Sequence, residues 1–277
     1  MKNKRSSANQ KAKDFSEKEL KAMEAIHHHW EERAKQYQKS HSVSWDDINM
    51  IQLEIQTISK FFNENDYLLD AGCSNGFTTL EILKNHKVRI EGIDYSQKAI
   101  ELAQSQKENN LLGQVNFSSG NILFLPYEDQ TFDKVYTIRT MINLPTFSMQ
   151  KKAIKELHRV LKPGGQYLMS EAFTSGLHNL NKLRSLANLQ PLTVPSFNLY
   201  LEETPLQEFL SDLFDIQEIS NFSSLYYVAS RFVRYLTIDS NESDSYVNHF
   251  NNFFKKITPN SQAGDFGVQK LYVLRKK

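Results

Sequence analysis

The 277-residue sequence predicts an α/β fold built on a doubly wound, mostly parallel sheet. Short apolar runs alternate with amphipathic stretches from Tyr67 to Glu171, and this alternation is typical of parallel strands joined by right-handed helical crossovers. A glycine-bearing turn follows the first apolar run, and acidic residues, Asp70 and Asp94, end the first two runs. Such a turn brings backbone N–H groups and a helix N-terminus close to a ligand. We therefore expect a ligand site at the carboxyl ends of the first strands.

Four segments are expected along the chain. They are a disordered tail over 1–15, N-terminal helices over 16–62, a ligand-binding core over 63–175 and a C-terminal part over 176–277. The tail is polar and lacks an apolar run, which favours disorder. The other three segments carry enough apolar residues to share one core.

The first helix is predicted over 16–38, where apolar residues recur at helical spacing. Trp30, Arg33 and Tyr37 are spaced i, i+3 and i+7, so they share one face. The adjacent histidines at 27–29 splay about 100° apart on a helix and are not expected to converge on a metal ion. A second helix, 45–62, leads into the first strand.

The remaining elements follow from periodicity and from glycine and proline breaks. In chain order they are helix 77–84, strand 88–93, helix 97–107, strand 131–136, a fifth strand beginning after 163–165, helix 177–189, a helix capped by Thr204 and ending near 213, strand 214–222 and strand 268–274.

An aromatic, mostly helical insertion, 226–265, separates the last two strands. It is predicted to form a cap over the carboxyl ends of the strands, where open α/β sheets bind ligands. Tyr226, Tyr227, Arg231 and Arg234 are its candidate acceptor-binding residues, the two arginines because a spacing of three could form a fork for an anion. The alternative for the arginines is a helix face packed on acidic neighbours.

Composition gives few further constraints. The net charge of +1 indicates neither a nucleic-acid partner nor a charged membrane surface. The single cysteine, Cys73, cannot form an internal disulfide or a cysteine-cluster metal site. The sequence contains no signal peptide and no apolar stretch that could span a membrane, so a cytoplasmic location is expected, with the oligomeric state left open.

The stretch from Asp70 to Gly76 resembles the first motif of class I S-adenosylmethionine-dependent methyltransferases, Asp-x-Gly-x-Gly-x-Gly, of the type 11 and type 25 kind. Further blocks resemble that family in its order, at 91–96, 120–127, 131–136 and 157–165. Two positions depart from the family pattern. Ser74 replaces the middle glycine and would be strained if its φ is positive, and Asn121 stands where the family commonly has Asp.

The resemblance implies a Rossmann-like, seven-stranded sheet with an antiparallel last strand, and S-adenosylmethionine as the cofactor. It assigns Asp94 to the ribose, the turn 72–76 to the methionyl end, and Asn121 with Ile122 to the adenine, beside which Tyr95 could stack. The full set of cofactor-binding candidates is Arg33, Tyr37, Asp70, Gly72, Cys73, Ser74, Gly76, Asp94, Tyr95, Ser96, Asn121, Ile122 and Arg139.

The methyl acceptor is less well specified. The Asn/Asp-Pro-Pro-Tyr/Phe motif of base methylation is absent after the fourth strand, which favours a small-molecule acceptor over DNA. Arg139 is expected where cofactor and acceptor meet and could pair with the carboxylate of either. His178, after strand five, is the first candidate for a general base, and His249 is the second.

The predicted function is O- or N-methylation of a small polar molecule, such as a sugar-derived metabolite. The aromatic insertion leaves open a lipid-like or quinone precursor as the acceptor. A non-catalytic cofactor-binding protein or scaffold is the contrasting class.

Overall fold

The computed structural model describes residues 15–107, 110–237, 246–261 and 263–277. The predicted tail therefore lies outside the described residues except for Phe15.

The core is one seven-stranded sheet in the order β3-β2-β1-β4-β5-β7-β6. Its strands are β1 Tyr67–Ala71, β2 Arg89–Asp94, β3 Gln114–Ser119, β4 Phe132–Ile138, β5 Leu161–Ala172, β6 Phe214–Ser220 and β7 Gln269–Lys276. β7 runs antiparallel to both of its neighbours, whereas β1 to β5 pair in parallel. The predicted fold class is confirmed.

Helices cover both faces of this sheet. They are α1 Glu17–Tyr37, α2 Ile48–Ser59, α3 Phe77–Leu83, α4 Gln97–Ser105, α5 Phe147–Val160, α6 Thr174–Leu186, α7 Glu203–Leu210, α8 Ser224–Val228, α9 Arg234–Thr237 and α10 His249–Ile257, with a π-helix, Ala229–Val233, between α8 and α9. The two largest buried clusters lie against β1, β4 and β5, so the middle of the sheet is the centre of the core.

Local signals set the helix ends. α1 begins with a capping box in which Ser16 accepts the N–H of Glu19 and the Glu19 carboxylate accepts the N–H of Ser16. α7 corrects one boundary, since it begins at Glu203 and not at a Thr204 cap. Pro205 is then in the first turn, where its missing N–H has no partner within the helix to lose.

Candidate functional site

A cavity of about 280 Å³ opens at the carboxyl ends of β1, β2, β3 and β4, where the sequence predicts the ligand site. The loops after these strands form one wall and α1 forms another. The residues on the sheet side are Gly72, Ser74, Ile93, Asp94, Tyr95, Ser96, Gly120, Asn121, Ile122, Ile138, Arg139, Thr140, Ile142 and Asn143. Nine of the thirteen cofactor-binding candidates thus face this cavity, Arg33 among them from α1.

The turn after β1 is tightly packed. Gly72 has φ +96°, and a Cβ there would lie 2.3 Å from Oγ1 of Thr140. Gly76 has φ +77° and caps α3, so it too adopts a conformation that side chains disfavour. Ser74 has φ +51°, as the sequence anticipated for a serine at a glycine position. Because Gly72 lacks a side chain, Thr140 packs directly against the backbone of this turn at the cavity wall.

Asp94 holds this turn in place. One of its carboxylate oxygens accepts the N–H of Ser74 and the other accepts the N–H of Ser96, each at 2.8 Å. Burial raises the pKa of Asp94, although both hydrogen bonds favour its charged form. Each oxygen still has a lone pair to offer, so the side chain can accept ligand hydroxyl groups at the cavity wall.

Four predicted cofactor residues do not line the cavity. Asp70 is buried behind the turn, where the Thr79 hydroxyl donates to it, and burial raises its pKa to about 7. Asp70, one of the cofactor-binding candidates, therefore contacts Thr79 behind the turn and does not line the cavity. Cys73 and Gly76 pack against the neighbouring helix and strand, and Tyr37 packs in the small cluster beneath the end of α1.

Arg33 lines the cavity, but its guanidinium already binds protein groups. Its Nε donates to the carbonyl of Val43 at 3.0 Å, and Nη2 donates to the carbonyl of Ser42. The carboxylate of Asp46 lies 3.7 Å from Nη2. Arg33 thus fixes the loop between α1 and α2 against the cavity.

The adenine-side candidates are brought together. Asn121 and Ile122 line the wall, and Oδ1 of Asn121 accepts the N–H of Leu123 at 2.9 Å. Tyr95 lies next to them, and the ring of His27 packs on it at a centroid distance of 4.4 Å. The sequence analysis did not identify His27 as a site residue, because it considered the three adjacent histidines only as possible metal ligands.

The four predicted acceptor-binding residues of the insertion lie outside the cavity. Tyr226 donates to Asp47 at 3.0 Å, Arg231 forms a 2.6 Å ion pair with the same carboxylate, and Tyr227 donates to Gln269. These three side chains and Arg234 are buried, and none of them lines the cavity. The acceptor-binding assignment is therefore wrong for all four residues. For Arg231, the alternative of packing on an acidic neighbour is the one observed, because Asp47 is fully buried and needs a counter-charge.

The predicted bases are also misplaced. His178 on α6 and His249 on α10 are exposed, and neither lines the cavity. Within the described ranges, no group of histidine, cysteine and acidic side chains could hold a metal ion. The helices among those residues also include none that is long and apolar enough to cross a membrane.

The part of the cavity away from β2 is aromatic. Trp30, Trp45, Phe197 and Tyr200 all contribute to its lining. The loop that carries Phe197 and Tyr200 is fixed beside β4, because the N–H of Leu199 donates to the carbonyl of Ile142 at 2.7 Å. The sequence analysis assigns no element and no role to this segment, and only its aromatic content could have suggested one.

Arg139 is placed as expected, at the end of β4 and on the cavity wall. Its φ is +55°, and its N–H donates to the carbonyl of Ser170 at 2.8 Å. The guanidinium lies over the ring of Trp45, with Cζ 4.6 Å from the ring centroid. Its Nε is 3.3 Å from Oε2 of Glu54, a buried residue of α2.

Comparison with known proteins agrees with this geometry. A family model described as a methyltransferase domain matches residues 62–203, which is more than half of the chain. An O-methyltransferase of Aspergillus nomiae is 38% identical over 107 residues, which cover 38% of this chain and 46% of that protein. The demethylmenaquinone methyltransferase of Alkalihalophilus pseudofirmus is 27% identical over 157 residues, which cover 53% and 62%.

The fold has solved counterparts. A SAM-dependent methyltransferase structure from Thermotoga maritima superposes with a TM-score of 0.56 at 15% identity and covers 90% of this chain and 99% of the other. One from Methanosarcina mazei gives a TM-score of 0.53 at 20% identity, covering 80% and 96%. The chain spans about half the length of the curated relatives. The matched segment contains every strand from β1 to β5 and the cavity residues from Gly72 to Asn143. The chain belongs to the methyltransferase-domain family.

Proposed function

We propose that this protein transfers the methyl group of S-adenosylmethionine to a small-molecule acceptor. The observation that carries the proposal is the continuous wall formed by the Gly72 turn, Asp94 and Asn121. It offers a close backbone approach, a carboxylate for ribose hydroxyls and an amide beside a half-exposed tyrosine, Tyr95. These groups suit a ligand that carries a ribose and a base and no phosphate.

When bound, the cofactor would supply an electrophilic methyl group on a sulfonium. The chain's own contribution is to orient the acceptor in line with that methyl and to exclude water. Asp94 and the 72–76 turn would fix the cofactor, whereas α1 and the loop carrying Phe197 would close the cavity around the acceptor. We assign no proton-transfer role to His178 or His249, because neither lines the cavity.

The aromatic lining favours one of the two acceptor classes that the sequence left open. Trp30, Trp45, Phe197 and Tyr200 line the cavity, and aromatic side chains offer a large apolar contact area with geometry suited to another ring. We therefore propose a ring-bearing acceptor, such as a phenol or a quinol, ahead of a sugar-derived metabolite. Two of the relatives carry names, O-methyltransferase and demethylmenaquinone methyltransferase, that support this choice.

Calorimetric titration with S-adenosylmethionine and S-adenosylhomocysteine tests the cofactor assignment. Both should bind, and Asp94→Ala should weaken both, while Asp215→Ala, which removes an exposed carboxylate from β6, should not. Formation of S-adenosylhomocysteine should then be measured over matched phenols, quinols, amines and sugars. Binding without turnover on any of them would favour the non-catalytic class, and failure of both ligands to bind would refute the proposal.

A further inference from the structure

The side chains of Arg139 and Glu54 form a buried charged pair whose hydrogen-bonding capacity is not filled. The Glu54 side chain is 0% exposed and that of Arg139 is 10% exposed. Among the described residues, neither Glu54 oxygen has a hydrogen-bond partner, and neither do Nε and Nη1 of Arg139. Buried polar atoms without partners are uncommon, and Arg139, which carries two of them, is a residue of the cavity wall.

A second buried carboxylate nearby has its hydrogen bonds supplied by the protein. Glu171 on β5 accepts the N–H groups of Thr140 at 3.0 Å and Met141 at 3.1 Å. Its charge is thus stabilised by the backbone of the loop that carries Arg139. Within the described part of the chain, Arg139 is the cation that faces Glu54, so its guanidinium is shared between this carboxylate and any anion that enters the cavity.

The position of the guanidinium is fixed from three sides. Trp45 packs against its face, Glu54 lies behind it, and its own backbone is held in the left-handed region by the bond to Ser170. Such a conformation is strained for a residue other than glycine. A cation held this firmly on the cavity wall, with donors that no described protein group uses, is pre-organised for a planar anion.

We propose that Arg139 binds a carboxylate or comparable anionic group of a ligand in the cavity, and that Glu54 is a positioning residue that competes with this anion for the guanidinium. The proposal rests on the proposed function, because the anion would belong either to the acceptor or to the amino-acid end of the cofactor. The aromatic wall next to Arg139 suits an acidic aromatic acceptor, and the two sources are separable by experiment.

Competition makes the site depend on pH. Burial, together with Glu171 on β5 and Asp47 at the start of α2, raises the pKa of Glu54 to about 7, whereas Arg139 opposes the rise. Tyr227 of α8 also interacts electrostatically with Glu54. Below pH 7 a proton on Glu54 frees the guanidinium, so anion affinity should be higher at pH 6 than at pH 8. Ligand binding should therefore be accompanied by proton uptake.

Titrations with three probes test the proposal. S-adenosylhomocysteine carries a carboxylate, and 5′-methylthioadenosine lacks it. Benzoate, added to the methylthioadenosine-loaded protein, tests for binding of a carboxylate that does not belong to the cofactor. Arg139→Gln should weaken at least one carboxylate-bearing probe roughly 10- to 100-fold and change methylthioadenosine affinity by less than about threefold. A loss of affinity for S-adenosylhomocysteine shows that Arg139 binds the carboxylate of the cofactor. A loss of affinity for benzoate shows that it binds a carboxylate of the acceptor. Arg275→Gln, which removes an exposed arginine on β7, is the matched control.

The Glu54→Gln variant provides the second readout. It removes the competing charge and keeps the volume, so carboxylate affinity should rise and its dependence on pH between 6 and 8 should vanish. The proposal would be overturned if Arg139→Gln bound every probe with the affinity of the wild type. It would also be overturned if methylthioadenosine lost as much affinity as the carboxylate-bearing probes, because such a loss indicates a role in folding. If the wild type binds neither adenosyl ligand, the proposed function fails, and benzoate titrated into the ligand-free protein still tests the anion site. If Arg139→Gln does not melt cooperatively, the affinities of the same three probes are measured in Arg139→Lys and Glu54→Gln instead.

Discussion

Replacing Asp94 with alanine tests the central element of the candidate site. The change removes two hydrogen bonds, to the N–H groups of Ser74 and Ser96, and the acceptor that a ligand ribose would use. A hydrogen bond to a charged group contributes about 1.5–3 kcal/mol. The loss of ribose contacts should therefore raise the dissociation constant of S-adenosylhomocysteine roughly 10- to 150-fold.

The same change should lower stability. Two backbone N–H groups lose a charged acceptor, and water from the open cavity replaces it in part, so we expect a loss of about 2–4 kcal/mol. For a domain of this size that corresponds to about 4–16 °C in melting temperature. Ser74 makes the turn more sensitive, because its left-handed conformation is held by the bond to Asp94.

Affinity and stability are separated by measuring both in one set of variants. Calorimetry is run well below the melting temperature of Asp94→Ala, with S-adenosylhomocysteine and with 5′-methylthioadenosine, which shares the ribose. The two ligands should weaken by the same factor, whereas Asp215→Ala should bind both like the wild type. A change below about threefold for the two ligands in Asp94→Ala would show that this carboxylate serves the turn and contacts no ligand.

Three further outcomes are expected. Gly72→Ala combines a positive φ with a clash against Thr140 and should lower the free energy of unfolding, measured by urea denaturation, by about 2–5 kcal/mol. Adding Thr140→Ala should recover only the part of this loss that comes from the clash. Arg231→Leu leaves the fully buried Asp47 carboxylate unpaired and should cost about 3–5 kcal/mol, so a loss below 1 kcal/mol would contradict the account of this pair. His178→Ala should leave turnover within about twofold of the wild type in a methyl-transfer assay, since the side chain is exposed outside the cavity, and a larger loss would restore it as a candidate base.

The sequence was sufficient for six of the seven strands and for one wall of the cavity, whereas β3, Gln114–Ser119, was not predicted from its own residues. Strand and helix periods are local signals, and the residues of the cofactor wall cluster in short motifs that each follow one strand, as at Gly72, Asp94 and Asn121. The carboxyl ends of parallel strands meet at one edge of a sheet, so topology alone brings these motifs together.

The residues on the acceptor side of the cavity could not be predicted from local motifs in this way. Arg231 and Asp47 are 184 positions apart, and nothing local to either indicates that they form a buried pair. Glu54 lies on an amphipathic helix, where a single acidic residue is normally solvent-facing, yet it is fully buried beside Arg139. Its role depends on how α2 docks on the sheet, which is a property of tertiary packing and not of spacing.

Strand order has a consequence for how the protein is made. β7 is the last strand of the sheet in chain order, yet it lies between β5 and β6 and supplies Gln269 to the cavity. During synthesis, β6 leaves the ribosome before the strand that joins it to the sheet exists. The cavity is therefore completed only when the final segment of the sheet has emerged, and nascent chains that stop short of β7 would present β5 as an open edge to chaperones and to each other.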